Sequence, residues 1–289
     1  MIKGQQKQTL KHFSNNADLW FGESSNKDKK TFNTIQQRNE YVIQFLKKHK
    51  KSSFLDVGCG PGNLVGQSSR FTKKSVGLDF SKEMINIANI NFKKKNTFFY
   101  CSSIFDFGGN EKFDVISANG FIEYISIKDL IFFFKIVRKK LKKGGHLIFG
   151  SRNRLYNLFS LNDFTKKELN KGEIRHLVQE SIQLNNLKLK EFIKIKTGLP
   201  ISSRKQPVTS SIKVSIRNQY TPLQLISLLK LHNFKTLDIS PINYHPVPPN
   251  IFNKNKKKVS IISNAINNEY KSLSLIPSSS TFMVTAKCN

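Results

Sequence analysis

The chain has 289 residues, with 48 lysines and arginines against 19 acids and a net charge of +29; it is long enough to bury a large core as one decorated domain. Three widely spaced cysteines, Cys59, Cys101 and Cys288, with no C-x-x-C pair, argue against a disulfide framework or a zinc site and for a reducing compartment. The start has no apolar signal core, and the longest greasy run, residues 130–134, is far too short to span a bilayer, so a soluble cytoplasmic protein is expected.

The charge alone does not name a partner. Lysine greatly outnumbers arginine, and Asn, Ile and Phe are abundant, as an AT-rich coding bias would produce. The lysines fall in scattered short groups such as Lys47-Lys48, Lys139-Lys140 and Lys142-Lys143, which read as solvated helix ends rather than one basic arm. No specific nucleic acid is expected, although such charge attracts polyanions non-specifically.

Residues 1–30 are polar and lack clear periodicity apart from the aromatics Phe13, Trp20 and Phe21. Over residues 31–50, Phe32, Ile35, Tyr41, Val42, Phe45 and Leu46 recur at helical spacing and predict an amphipathic helix packed on a sheet. A buried strand then runs from Ser53 into the turn Gly58-Cys59-Gly60-Pro61-Gly62 and a helix start. Three glycines at alternate positions let a ligand lie against the main chain, and the first N–H groups of the helix suit an anion. An ordinary tight bend is the alternative. Residues 75–80 form a second short strand ending in Asp79, where doubly wound folds place an acid that accepts hydrogen bonds from a ribose diol. The glycine spacing fits neither G-x-G-x-x-G nor a phosphate loop, so a dinucleotide is not expected.

Next come a helix over 82–92 with Met84, Ile85 and Ala88 on one face, strands over 97–101 and 113–118, and a helix over 127–140. A turn at 142–145 precedes a fifth strand over 146–150. This alternation predicts an α/β, doubly wound parallel sheet with ligands beyond the carboxyl ends of its strands. Residues 151–220 are too long for a plain connection and suggest a helical lid or substrate subdomain. Helical spacing continues over 173–189, and 197–211 reads as a mobile Ser/Pro-rich connection. Thr221 as N-cap and Pro222 at the first position open a further helix, followed by strands over 234–239 and 281–286.

The stretch Asp56-Val57-Gly58-Cys59-Gly60-Pro61-Gly62, followed by Gly77-Leu78-Asp79-Phe80-Ser81-Lys82-Glu83-Met84, resembles the first two motifs of class I S-adenosylmethionine-dependent methyltransferases. Residues 113–125 look like the stretch beneath the transferred methyl in that family, and the Leu-Lys-Lys-Gly-Gly turn makes four motifs in order over about residues 46–150. The resemblance implies a Rossmann-like, seven-stranded sheet with an antiparallel last strand and S-adenosylmethionine as cofactor. The glycine turn would hold its methionine moiety, with Asp56 on the ammonium side and Asp79 on the ribose. The implied cofactor-binding residues are Asp56, Gly58, Cys59, Gly60, Gly62, Asp79, Phe80, Met84, Ser102, Ser103, Ile104, Asn119 and Gly120. Ser102 stands where an adenine-binding acid is usual. More loosely, residues 13–46, with Ala17-Asp18-Leu19-Trp20 ahead of an Arg-bearing helix, resemble the ubiquinone-pathway O-methyltransferases. Trp20 and Arg38 would then face the substrate, a surface arginine being the alternative. The implied organisation is an N-terminal helical cover (1–50), a cofactor-binding core (51–150), a lid or substrate insertion (151–220) and the remainder of the core (221–289).

Methyl transfer from a sulfonium is an in-line displacement that needs alignment and exclusion of water, and a hydroxyl acceptor also needs a base. Glu123, just past the fourth strand, is the best placed candidate for base or substrate anchor, with a capping carboxylate as the alternative. Relatives with a metal there carry His after the acid; here Tyr124 follows, so no metal is expected. His245, in a proline-rich loop, is the second catalytic candidate, and His176 a further alternative, while Tyr156 and Phe159 would line the acceptor pocket. The expected function is methyl transfer to a small molecule, at oxygen by preference: a quinone precursor, a lipid head group or a nucleotide-linked sugar. An RNA or DNA methyltransferase is the first alternative, although residues 119–122 lack the Asn/Asp-Pro-Pro-aromatic motif. A non-catalytic cofactor-binding protein is the second.

Overall fold

Successive apolar side chains of the central strands go to opposite faces, so a strand that is apolar throughout must be covered on both sides. In β1 (Ser53–Val57), Phe54 joins one core cluster while Leu55 and Val57 join the other. The same alternation places Val115 opposite Ile116 in β4 (Phe113–Ala118) and Ile148 opposite Leu147 and Phe149 in β5 (Leu141–Arg152). A computed structural model describes residues 4–26, 33–49, 52–205, 212–269 and 272–289.

Seven strands, including β2 (Lys74–Asp79), β3 (Thr97–Cys101), β6 (Phe234–Tyr244) and β7 (Ser279–Cys288), form one sheet in the order β3-β2-β1-β4-β5-β7-β6. The first five are parallel, and β7 runs antiparallel between β5 and β6. This is the Rossmann-like sheet with an antiparallel last strand that the motifs imply. Strand order reverses between β1 and β4, and the crevice that opens there at the carboxyl ends is where such sheets hold ligands.

Helix Thr34–His49 covers one face, laying Val42, Ile43 and Leu46 on Phe54, Val115, Ile148 and Met283. Its Tyr41 hydroxyl donates to Asp238 of β6 at 2.6 Å. Thr31, Phe32 and Lys50, at the ends of the expected helix, lie outside the described residues, as do 206–211 of the expected mobile connection. Helices Ile127–Lys140 and Pro222–Leu231 cover the other face through Phe133, Phe134, Leu225 and Leu229. The second begins as its sequence predicts: Thr221 and Gln224 form a reciprocal capping box ahead of Pro222.

The structure extends or departs from the sequence reading in three places. Residues 4–25, which show no clear periodicity, form two helices, Gly4–Asn15 and Ala17–Ser25. Their order comes from tertiary contact, with Phe13 packed 5.3 Å from Trp20 and 5.2 Å from Tyr124. The Lys-Lys-Gly-Gly turn lies inside β5, where a register shift against β4 absorbs it. Finally, the antiparallel neighbours β6 and β7 are separated in the chain by helices Pro249–Lys254 and Lys256–Glu269. No helix among the described residues is long and apolar enough to cross a membrane.

Candidate active site

A cavity of about 1190 Å³ opens at the carboxyl ends of β1, β2 and β4 beneath the two N-terminal helices. Gln5 donates to the Tyr124 carbonyl at 2.9 Å, and Ser24 donates to Asn63 at 2.7 Å, so the roof is tied both to the segment after β4 and to the helix that follows the glycine turn.

At one end, the amides of Gly58 and Cys59 both donate to the Leu78 carbonyl, at 2.8 and 2.9 Å, and carry the β1–β2 ladder into the turn. Gly60 then adopts φ +52°, and a Cβ built there would meet nothing within 4 Å, so its backbone presents an open cradle to the cavity. Gly62 differs. A Cβ there would lie 2.7 Å from that of Ala88 and 2.9 Å from the Phe99 ring, so this glycine admits the helix behind the turn and does not line the cavity.

Two carboxyls face this end. Asp56 accepts from the Ser117 hydroxyl at 2.5 Å; burial pushes it up to about 7, with the charge of Asp79 adding to burial and the Ser117 hydrogen bond opposing it. Asp79 accepts from the Gly60 amide and the Ser81 amide, each at 2.9 Å, and burial pushes it up to about 6 against those hydrogen bonds. Phe80, Met84, Ser102, Ser103, Ile104, Asn119 and Gly120 complete this half with Gly58 and Cys59. The Ser102 hydroxyl donates to the Ser103 carbonyl at 3.1 Å. The buried Asn119 Oδ1 accepts no hydrogen bond among the described residues.

At the other end, Glu123 is fully buried and gathers arginines. Arg217 donates to its Oε1 from Nη2 at 2.9 Å and from Nε at 3.2 Å, and Arg38 Nη2 lies 3.8 Å from Oε2. Burial alone would raise the Glu123 carboxyl, but the guanidinium groups of Arg217, Arg38 and Arg152 outweigh it and hold it below the usual range. Arg152 lines the same end; burial, then the positive charge of Arg217, lowers its pKa to about 10. Arg38 is buried, donates to the Thr281 hydroxyl at 3.3 Å and lines the cavity together with Trp20.

The remaining candidates lie elsewhere. Tyr156, Phe159 and His245 do not line the cavity; they form a separate cluster in which the His245 ring packs 4.9 Å from Tyr156 and 5.0 Å from Phe252. Burial holds His245 neutral, lowering its pKa to about 4. His176 is exposed on helix Ile174–Asn186.

Arg152 and Arg217 carry no sequence signal of their own, because the whole insertion separates them. The fold rejoins them. The Tyr220 amide donates to the Arg152 carbonyl at 3.1 Å, the Arg154 amide donates to the Tyr220 carbonyl at 3.0 Å, and Asn153 bridges to Tyr220. Asn218 then donates to the Glu123 carbonyl at 2.7 Å, which seats Arg217 against Glu123. Of the insertion, only Arg152 and Arg217 reach the cavity among the described residues; its helices pack away from it. A buried network anchors them: Glu168 receives Arg154 Nη2 at 2.7 Å, Asn157 Nδ2 at 2.7 Å and the guanidinium of Arg204, while Arg154 also pairs with Glu173.

Comparison with known proteins agrees with this architecture. Residues 48–200, just over half of the chain, match the family model of a methyltransferase domain. A ubiquinone biosynthesis O-methyltransferase of Pelagibacter ubique is 30% identical over 159 residues, covering 51% of this chain and 65% of that protein. One of the same name from Hydrogenovibrio crunogenus is 24% identical over 167 residues, covering 55% and 66%. The match thus spans just under two thirds of each relative. Among solved structures, magnesium protoporphyrin IX methyltransferase from Synechocystis PCC 6803, with bound S-adenosylhomocysteine, superposes with a TM-score of 0.59 over 99% of this chain and 100% of that one at 10% identity. A methyltransferase from Listeria monocytogenes gives 0.53 over 87% and 97% at 15% identity. At such identities the likeness is one of fold.

Proposed function

This chain belongs to the S-adenosylmethionine-dependent methyltransferase family, and from that premise we propose that it methylates an oxygen of a small-molecule acceptor. The observation that carries this reading is one roofed cavity with two unlike ends. Its volume of about 1190 Å³ exceeds the roughly 300–1,000 Å³ of a pocket for one small ligand. That leaves room for a donor and a compact acceptor together.

The donor fits the glycine-turn end. The open cradle at Gly60, the carboxyls of Asp56 and Asp79 and the unpartnered Asn119 Oδ1 match a ligand that carries an ammonium, a ribose diol and an amino-substituted base. When bound, S-adenosylmethionine supplies an electrophilic methyl on sulfonium and leaves as a neutral thioether. The chain's own part is to hold, align and exclude water. The Asp79–Gly60 hydrogen bond fixes the cradle, the helices bearing Phe13 and Trp20 close the roof, and Glu123 holds Arg217 and Arg38 at the acceptor end. A carboxylate kept ionised by guanidinium groups is a weak base, so Glu123 serves here as the counter-charge that orients them. Their positive field favours an acceptor oxygen that arrives as an anion or ionises beside them.

The relatives named above are O-methyltransferases, which supports oxygen as the acceptor atom. Labelled methyl from S-adenosylmethionine should enter the low-molecular-weight fraction of a cell extract and be released as methyl iodide by ether or ester cleavage. Label found in RNA or DNA alone, or on nitrogen alone, would overturn the reading.

A further inference from the structure

We propose that the acceptor end is an oxyanion site, in which Arg152 and Arg217 receive a carboxylate or phosphate group carried by the acceptor. The word acceptor rests on the methyl-transfer reading; the anion site rests on charge and geometry alone.

The cluster is out of balance. The guanidinium groups of Arg38, Arg152 and Arg217 stand against the single carboxylate of Glu123, three positive charges to one negative. The charged and titratable groups that act on Arg152 are Arg217, Glu123, Tyr124 and Arg38, with Glu123 the one acid in that set among the described residues. Arg152 and Arg217 are half-buried; surplus charge partly withdrawn from water is costly, and an oxyanion accepting from both arginines offsets that cost.

Donors remain to receive it. A guanidinium carries five N–H groups in a fixed fork. Arg217 directs Nε and Nη2 at Glu123 Oε1, and its other hydrogens remain. Arg152 forms no ion pair with an acid among the described residues; its guanidinium lies 5.7 Å from the Phe164 ring centroid, and that of Arg217 lies 5.3 Å from the Tyr124 centroid. Each fork is thus braced by an aromatic face and still lines the cavity. The backbone pairing of Arg152 with Tyr220, and of Asn218 with Glu123, sets both forks before any ligand arrives. A preorganised pair of guanidinium groups selects planar or tetrahedral oxyanions over neutral isosteres.

The test is calorimetric titration of benzoate, phenyl phosphate and neutral benzamide into the full chain, with and without saturating S-adenosylhomocysteine. At least one anion should bind about tenfold or more tighter than benzamide, and the preferred anion distinguishes a carboxylate from a phosphate source. Arg152→Gln should abolish that preference while S-adenosylhomocysteine affinity stays within about twofold, and Arg152→Lys should restore part of it. Anions binding no tighter than benzamide, or a preference that survives Arg152→Gln, would overturn the proposal. Failure of S-adenosylhomocysteine to bind would count against the methyl-transfer reading instead, since the anion preference is read separately.

Discussion

Asp79, the last residue of β2, accepts the Gly60 amide at 2.9 Å, so the acid expected to meet a ribose also sets the shape of the turn expected to meet a methionine. Its second oxygen is engaged by the Ser81 amide, which anchors the start of helix Lys82–Phe92. Asp79→Ala therefore removes a ligand contact and a turn constraint together. Losing hydrogen bonds to a charged group costs about 1.5–3 kcal/mol each, so S-adenosylhomocysteine affinity should fall by about tenfold to a hundredfold in isothermal titration. Wild-type affinity in that variant would remove Asp79 from the site.

Gly60 and Gly62 should fail in different ways. Gly60→Val places its side chain in the open cradle, so ligand binding should be lost, and at φ +52° it also strains the backbone by about 1–3 kcal/mol. Gly62→Val carries a like strain at φ +86° and in addition drives a Cβ into Ala88 and Phe99, so overpacking should cost about a further 1–3 kcal/mol or more in denaturant unfolding. Comparable losses of stability in both variants would contradict this division.

Acid should weaken the donor site. Asp56, pushed up to about 7, and Asp79, up to about 6, carry protons in the free protein at pH values where ordinary carboxyls do not. A ligand ammonium beside Asp56 requires the ionised form, so binding expels a proton below neutral pH, and affinity should fall up to tenfold per pH unit for each proton displaced. For the free fold the sign is opposite. The folded state holds these protons longer than the unfolded chain, so their contribution to stability declines as pH rises from the ordinary 3.8 through about 7. S-adenosylhomocysteine should therefore raise the calorimetric Tm more at pH 8 than at pH 5.5; an equal rise at both would exclude the linkage.

The buried Glu168 should matter for stability and not for donor binding. Glu168→Gln leaves the guanidinium groups of Arg154 and Arg204 short of their shared counter-charge, at a cost of about 3–5 kcal/mol. None of these residues lines the cavity. Unfolding should shift to lower denaturant while S-adenosylhomocysteine affinity remains within about twofold, and a concurrent loss of affinity would tie the insertion to the donor site.

Local chemistry made the donor end legible. The glycine turn and Asp79 lie within some twenty residues of one another, and neighbouring parallel strands bring such segments together whatever the rest of the chain does. Thr221-Pro222 likewise announced a helix through capping chemistry that needs no distant partner. The acceptor end is written otherwise. Arg152 and Arg217 look like two more cations in a basic chain until the return of the insertion pairs Tyr220 with Arg152. Tyr156 and Phe159, as aromatics of the long insertion, and His245, in its proline-rich loop, suggested a pocket, yet their rings pack on one another. Residues 4–25 lack a strong apolar stripe because their order comes from ring contacts with Tyr124 and from the seat over the cavity.

Fastening the insertion at Asn153 and Tyr220 sets its two ends side by side on the sheet, while Leu177, Leu184, Phe192 and Leu199 between them join the main core. Its interior also holds the two guanidinium groups that flank the join: the Phe164 ring lies 5.7 Å from that of Arg152, and the Arg217 amide donates to the Arg204 carbonyl at 3.0 Å. A substitution deep within residues 153–216 therefore reaches the far end of the cavity through packing alone, without touching whatever is bound there.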